Sequence, residues 1–274
     1  MKGNSGAIDA AGAPTPGYVL EGLRPNFTRG ARVERISADI WRLEIPAGPA
    51  GRYRLAQLDD YGRLPRRAFR RQPPFEFTMR VRVSEALPPG TWGMGLWNDP
   101  FGMAILSGAE VLRLPALPNA AWFFFASPPN YLSLRDDLPA QGGLAATFSA
   151  PNLPAPLLLP GALALPLLAL PPTTRWLRRL MRRWVCQYAT ALGIDPTQWH
   201  AYRLQWLAQR VRFWVDDSLV LEAVAVPRGP LGLVIWIDNQ YAALPPDGRL
   251  RFGMLANPQP AWLEVAGLRC SVPA

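Results

Sequence analysis

The chain has 274 residues, with 29 Lys and Arg against 20 Asp and Glu and a formal net charge of +9 at pH 7. Two cysteines are too few for a disulfide framework, and with a single histidine they exclude a His/Cys metal cluster. A hydrophobic fraction of 49% with eleven tryptophans is enough for a single domain with one large core. We expect both thiols to be reduced.

The N-terminal segment predicts disorder followed by one domain. Residues 1–17 are rich in Gly, Ala and Pro and lack the apolar core of a secretory signal. We therefore expect residues 1–17 to be loose, residues 18–274 to form one domain, and the protein to be cytoplasmic.

Short strands separated by Pro and Gly turns then follow along the chain. In residues 75–83, apolar side chains alternate with Glu76, Thr78, Arg80 and Arg82, which is the period of a strand with one buried face. The same reasoning predicts strands at 40–45, 91–97, 121–126, 199–206, 210–216, 231–238, 250–255 and 261–268. Many short strands of this kind predict an all-β fold, an antiparallel sandwich of two sheets.

Two neighbouring strands carry a more specific pattern. Residues 199–206 read WHAYRLQW, and residues 210–216 read RVRFWVD. Together with the order of the strands over residues 70–270, this pair resembles the concanavalin A-like lectin/glucanase superfamily and, within it, glycoside hydrolase family 16. The resemblance implies a jelly roll with its site on a concave sheet.

The strand that carries catalysis in that family lacks its acids here. Family members are retaining glycosidases with a Glu-x-Asp-x-x-Glu motif, because cleavage needs two carboxyl groups about 5 Å apart. The corresponding segment reads AWFFFAS, so Trp122, Phe124 and Ser127 occupy the three acidic positions. No Glu-x-Asp or Asp-x-Glu occurs in the chain. We expect no catalytic residues; the alternative is a divergent glycosidase with relocated acids, Asp99 and Asp238.

Aromatic and amide side chains predict a binding groove on the concave face. Trp97 and Trp236 are each followed closely by an Asp and an Asn, and aromatic faces with a few polar groups are suited to sugars. The alternative for both tryptophans is a place in the core, where we expect Phe123 and Phe125. The predicted ligand-binding residues are Trp97, Asn98, Asp99, Trp122, Phe124, Ser127, Asn130, Tyr131, Trp236, Asp238, Asn239 and Tyr241.

No cofactor is expected. The alternative is a calcium ion, because hard oxygen ligands suit Ca²⁺ and relatives often carry one. Its candidate ligands are Asn98, Asp99, Asp238 and Asn239.

Residues 150–195 predict an insertion that the sandwich does not require. Residues 153–172 read LPAPLLLPGALALPLLALPP, without a charge. One face of the following segment then carries Arg175, Arg178, Arg179, Arg182 and Arg183, and the opposite face carries Trp176, Leu177, Leu180, Met181, Trp184 and Val185. This pattern predicts a basic amphipathic helix.

Three destinations are open for this helix. It can fold onto its own sandwich and bury the apolar face, dock a protein partner, or lie on an anionic membrane surface, which would place the protein peripherally on the inner face of the membrane. The residues that would make such contacts are Arg175, Trp176, Arg178, Arg179, Arg182, Arg183 and Trp184. Nucleic acid is not favoured as a partner, because the aromatic rings and the arginines lie on opposite helix faces.

The sequence thus predicts a non-catalytic, lectin-like module that binds a carbohydrate or another amphipathic ligand, and that contacts a membrane surface through the insertion. Two alternatives remain. One is the divergent family-16-like glycosidase, and the other is a structural or assembly protein that docks a partner through the insertion.

Overall fold

The computed structural model describes residues 22–100, 111, 113–153, 167 and 170–273. The predicted loose segment, residues 1–17, and most of the Pro-rich run lie outside the described residues. The described part of the chain forms two seven-stranded sheets, a two-stranded sheet and one α-helix.

The strands in chain order are β1 (Arg24–Phe27), β2 (Arg32–Arg35), β3 (Ile40–Ile45), β4 (Leu55–Asp59), β5 (Phe75–Val83), β6 (Thr91–Trp97), β7 (Ala120–Ala126), β8 (Gly142–Ser149), β9 (Cys186–Leu192), β10 (His200–Trp206), β11 (Val211–Val215), β12 (Ser218–Ala223), β13 (Gly232–Asp238), β14 (Gln240–Ala243), β15 (Arg251–Met254) and β16 (Ala261–Ser271). The helix, α1, is Pro171–Trp184, and a 3₁₀ turn spans Arg66–Ala68.

The two large sheets pack face to face. The first sheet has the order β1-β4-β13-β6-β7-β8-β9, and the second has the order β12-β11-β10-β5-β16-β3-β2. Adjacent strands in both sheets run antiparallel. The predicted two-sheet antiparallel sandwich of the jelly-roll type is therefore confirmed.

Every second side chain along each strand points into the space between the sheets, where the apolar side chains form the core. From β7, Phe123 enters this core and meets the rings of Tyr202 and Phe213 edge-on, with ring centroids 4.9 and 5.2 Å apart. Phe125 stacks on Trp92 in the same layer. The prediction that Phe123 and Phe125 belong to the core is confirmed. Because side chains alternate, Trp122 and Phe124 must point to the other face of the first sheet.

Four strands of the first sheet, β1, β4, β8 and β9, were not predicted from the sequence. β8 reads GGLAATFS and β9 reads CQYATAL, and small residues give both little of the β-branched character typical of strands. The predicted insertion at 150–195 therefore includes β9, which forms the edge of the sheet beside β8.

Helix α1 packs on the sandwich through Thr174, Arg178 and Met181. Pro171 and Pro172 occupy its first positions, where their fixed φ angles suit a helix start. Arg178 is buried at 3% exposure, whereas Trp176 is 57% exposed. The apolar face predicted for this helix is therefore buried only in part: Met181 and Val185 pack against the sandwich, whereas Trp176, Leu180 and Trp184 are exposed. In the part of the chain that the structure describes, no helix is long and apolar enough to span a bilayer.

Candidate functional site

The face of the first sheet that points away from the core forms a groove, with a cavity of about 160 Å³. Strands β13, β6 and β7 lie side by side beneath it, and every second side chain of each strand points into it. Its floor consists of Trp97, Trp122, Phe124, Val234 and Trp236.

Trp122 stands at the centre of the aromatic floor. Its ring centroid lies 6.0 Å from that of Trp97, 5.4 Å from Phe124 and 5.9 Å from Trp236. These tilted and offset arrangements are the ones that aromatic rings prefer. The sequence analysis left two alternatives for Trp97 and Trp236, the core and the groove. In the structure both side chains line the groove.

Two glycines on β6 leave the space that the rings occupy. A Cβ atom on Gly93 would lie 2.8 Å from the Trp236 ring, and one on Gly95 would overlap the Trp122 side chain. Strand β6 thus presents almost bare backbone at the middle of the groove. The rings of Trp122 and Trp236 lie over it from the two neighbouring strands.

One end of the groove is organised around Asp238. Thr91 lies directly opposite on β6, and its hydroxyl donates a 2.9 Å hydrogen bond to Asp238 Oδ1. The same hydroxyl oxygen accepts a 3.0 Å hydrogen bond from Trp236 Nε1, so Thr91 fixes both the ring and the carboxyl group. The Tyr53 hydroxyl donates to Asp238 Oδ2 at 3.4 Å.

The environment of Asp238 shifts its titration strongly. Burial raises the pKa of Asp238 to about 7, because the charged form loses its hydration, although hydrogen bonds from Thr91 act in the opposite direction. Among the described residues, no arginine or lysine forms an ion pair with this carboxyl group. Asp238 therefore changes charge near neutral pH at the edge of an aromatic surface.

The other end of the groove is closed by a buried ion pair. Arg113 Nη1 lies 2.8 Å from Asp99 Oδ2, and both side chains are almost fully buried. Arg113 also donates to the carbonyl oxygens of Tyr61 and Leu64, and its guanidinium lies 5.4 Å from the Tyr61 ring centroid. These contacts fix the loops at this end, so Asp99 serves the architecture of the groove.

The alternative acid pair, Asp99 and Asp238, is wrong for a geometric reason. Asp238 pairs with Thr91 at one end of β6, whereas Asp99 follows Trp97 at the other end. The six residue steps from Thr91 to Trp97 span roughly 20 Å, far more than the ~5 Å of a retaining pair. Among the described residues that line the groove, these two are the only acids.

The calcium alternative fails for the same reason, since Asn98 and Asp99 lie at one end of β6 and Asp238 and Asn239 at the other. Within residues 22–100, 113–153 and 170–273, no group of three or more His, Cys, Asp or Glu side chains could hold a metal ion.

Asn98 and Asn239, both predicted to bind ligand, hold loops instead. Asn98 Nδ2 donates to the Leu117 carbonyl at 2.8 Å. Asn239 is fully buried; its Oδ1 accepts from the Arg54 backbone N–H at 2.8 Å, and its Nδ2 donates to the Leu255 carbonyl at 2.7 Å. Neither side chain lines the groove.

Four further predicted residues cluster near the Asp238 end. Ser127 Oγ accepts a hydrogen bond from a turn N–H, and Asn130 lines the groove while its amide bonds the Ser127 carbonyl at 2.8 Å. Tyr131 lies under the Arg178 guanidinium, 5.3 Å from it. Ser127, Tyr131 and Tyr241 do not line the cavity.

Several groove residues were not predicted from the sequence. Gln57 was missed because the short strand β4 was not recognised. Tyr53, which precedes β4, and Arg113 belong to no sequence motif. Thr91 was inside a predicted strand, but only the pairing register places it opposite Asp238. The groove residues found from the sequence are Trp97, Asp99, Trp122, Phe124, Asn130, Trp236 and Asp238.

No protein-family model and no curated protein matches the chain. Similar solved structures include a glycoside hydrolase family protein from Mycobacterium thermorestibile, with 12% identity over 94% of this chain and 90% of that one and a TM-score of 0.47. A β-glucanase from Bacillus licheniformis has 10% identity over 93% and 95%, with a TM-score of 0.48. A legume lectin-like domain from Entamoeba histolytica has 11% identity over 91% of each chain, with a TM-score of 0.43.

Proposed function

We propose that the groove binds a carbohydrate without hydrolysing it. One observation carries this proposal: an aromatic floor of Trp97, Trp122 and Trp236 ends at a single protonatable carboxyl group, Asp238, with no second carboxyl group of the described residues facing it. A retaining glycosidase needs two carboxyl groups on either side of the scissile bond, whereas a sugar-binding site does not.

The floor and the rim offer complementary contacts to a sugar. The ring faces suit the apolar C–H surface of a pyranose, and side chains at the rim can bond its hydroxyl groups. Asn26, Tyr53, Gln57 and Gln240 line the groove and are partly exposed. Gln240 Oε1 is buried without a hydrogen-bond partner among the described residues, so a ligand hydroxyl would satisfy it.

A glycan array and a hydrolysis assay test the two halves of the proposal. We expect wild type to retain one class of oligosaccharide and to release no reducing ends from β-glucans. Trp122→Ala should weaken binding at least tenfold, because it removes the central ring of the floor. Phe252→Ala is the matched control, since this ring is 71% exposed and does not line the groove.

Release of reducing ends that Asp238→Asn abolishes would overturn the non-catalytic half. Equal retention of oligosaccharides by wild type and Trp122→Ala, or no retention of any glycan by wild type, would overturn the binding half. Near-UV circular dichroism of each variant separates loss of binding from loss of the fold.

A further inference from the structure

Arg178 sets the orientation of helix α1. Its Nη1 donates to the carbonyl oxygens of Ser133 and Leu244, both at 2.8 Å, and its Nη2 lies 2.7 Å from Asp136 Oδ1. The guanidinium also lies over the Tyr131 ring. Because these contacts place Arg178 on the helix face that points to the sandwich, the opposite face of α1 points to solvent.

The outward face carries a stripe of large apolar side chains. Trp176, Leu180 and Trp184 are spaced four residues apart and are 57%, 37% and 45% exposed. Leu167 and Leu170, just before the helix, are 52% and 54% exposed. Contiguous exposed apolar groups of this size mark interaction surfaces in soluble proteins.

Positive charge borders this stripe. Arg175, Arg179 and Arg183 are exposed, and no carboxyl group of the described residues forms an ion pair with them, whereas Arg178 and Arg182 both hold Asp136. The sequence carries no acid between Asp137 and Asp195. The surface of α1 therefore combines tryptophans with unpaired arginines and has no negative charge of its own.

We propose that the outward face of α1 binds the surface of a bilayer that contains anionic lipids. Tryptophan rings are favoured at the boundary between headgroups and acyl chains, and arginines beside them meet lipid phosphates. The 14 residues of α1 span about 21 Å at 1.5 Å per residue, which suits a helix lying in the plane of the membrane surface. The arginines favour this partner over a second copy of the chain, because two such faces would repel each other.

Co-sedimentation with vesicles tests the proposal on the full chain. We expect wild type to pellet with phosphatidylglycerol/phosphatidylcholine vesicles, more weakly with added salt, and not with phosphatidylcholine alone. Trp176→Ser/Trp184→Ser and Arg179→Gln/Arg183→Gln should each reduce partitioning at least tenfold. All four side chains are exposed, so both variants should keep the far-UV spectrum and melting temperature of wild type.

Two control variants match these changes elsewhere on the surface. Leu219→Ser/Val224→Ser removes exposed apolar side chains, and Arg80→Gln/Arg203→Gln removes two charges from the second sheet. Both should pellet like wild type. The proposal is overturned if wild type does not pellet, if it binds neutral and anionic vesicles equally, or if the controls lose as much binding as the α1 variants. Self-association in sedimentation velocity that Trp176→Ser/Trp184→Ser abolishes, without vesicle binding, would overturn it in favour of a second copy.

Discussion

The Thr91 hydroxyl donates a 2.9 Å hydrogen bond to the Asp238 carboxyl group and accepts one of 3.0 Å from the Trp236 indole. A single side chain therefore couples the protonation of an acid to the position of an aromatic ring. The two residues lie opposite each other, so this link joins the last residue of β13 to the first residue of β6.

Asp238→Asn should change how stability depends on pH. In wild type, the folded pKa of about 7 exceeds the ordinary aspartate value of 3.8, so the folded state binds the proton more tightly. The contribution of Asp238 to the stability of the fold is therefore largest below about pH 4, and it is lost as the pH rises to about 7. At about 1.4 kcal/mol per pKa unit, Asp238→Asn should be more stable than wild type at pH 8 by up to about 4 kcal/mol. Urea denaturation from pH 4 to pH 8 measures the difference, and parallel curves for the two proteins would contradict it.

Thr91→Val should raise the pKa of Asp238 further, because it removes the hydroxyl donor that favours the charged form while keeping the side-chain volume. It also leaves Trp236 Nε1 without its acceptor, so we expect a loss of about 1–3 kcal/mol in unfolding free energy at pH 7. NMR titration of the Asp238 carboxyl carbon measures the pKa. Thr91→Ser is the control, since it retains the hydroxyl group and should leave the pKa near its wild-type value.

Arg113 and Asp99 should behave as a coupled pair. Because both are buried, Asp99→Asn or Arg113→Met alone breaks the buried ion pair and should cost about 3–5 kcal/mol. The double variant should cost clearly less than the sum of the two single variants. Thermal and urea denaturation of the four proteins gives the coupling, and simple additivity would show that the pair does not act as a unit.

Arg178→Met should loosen the loops that α1 holds. It removes a buried hydrogen bond to the Ser133 carbonyl and a partly buried one to the Leu244 carbonyl, and should reduce unfolding free energy by about 2–4 kcal/mol. The neighbouring Arg179 is exposed, so Arg179→Met should change stability by less than about 0.5 kcal/mol. Hydrogen exchange should show faster exchange of the Leu244 amide in Arg178→Met only.

The sequence was sufficient for the sandwich because burial on one face imposes a period of two. β3 and β5 were predicted with the bounds that the structure has, since their apolar and polar residues alternate cleanly. β8 and β9 were not predicted because neither has one buried and one exposed face: residues 144–148 of β8 are all buried, and β9 has a single buried residue, Ala189.

The sequence predicted the residues of the groove floor but missed several residues of its rim, for a related reason. Trp122 and Trp236 lie on strands that were recognised from the sequence. The alternation of side chains along each strand therefore predicts that both rings lie on the groove face. The partnership of Thr91 with Asp238, and of Arg113 with Asp99, depends on strand register and loop paths, which no local pattern encodes. The same missing information made Asp99 and Asp238 look like neighbours.

The bare backbone at Gly93 and Gly95 has a consequence for what the molecule can recognise. A Cβ at Gly93 would collide with the Phe123 carbonyl oxygen and the Trp236 ring, and one at Gly95 with the Ala121 carbonyl oxygen and Trp122 Cβ, so a side chain at either position would force β6 and β7 apart. The spacing of the two strands, and with it the positions of Trp122 and Trp236, therefore depends on the absence of side chains at these two glycines. A homologue with alanine at both sites would need a locally wider sheet, and the two indoles would present a floor of different shape.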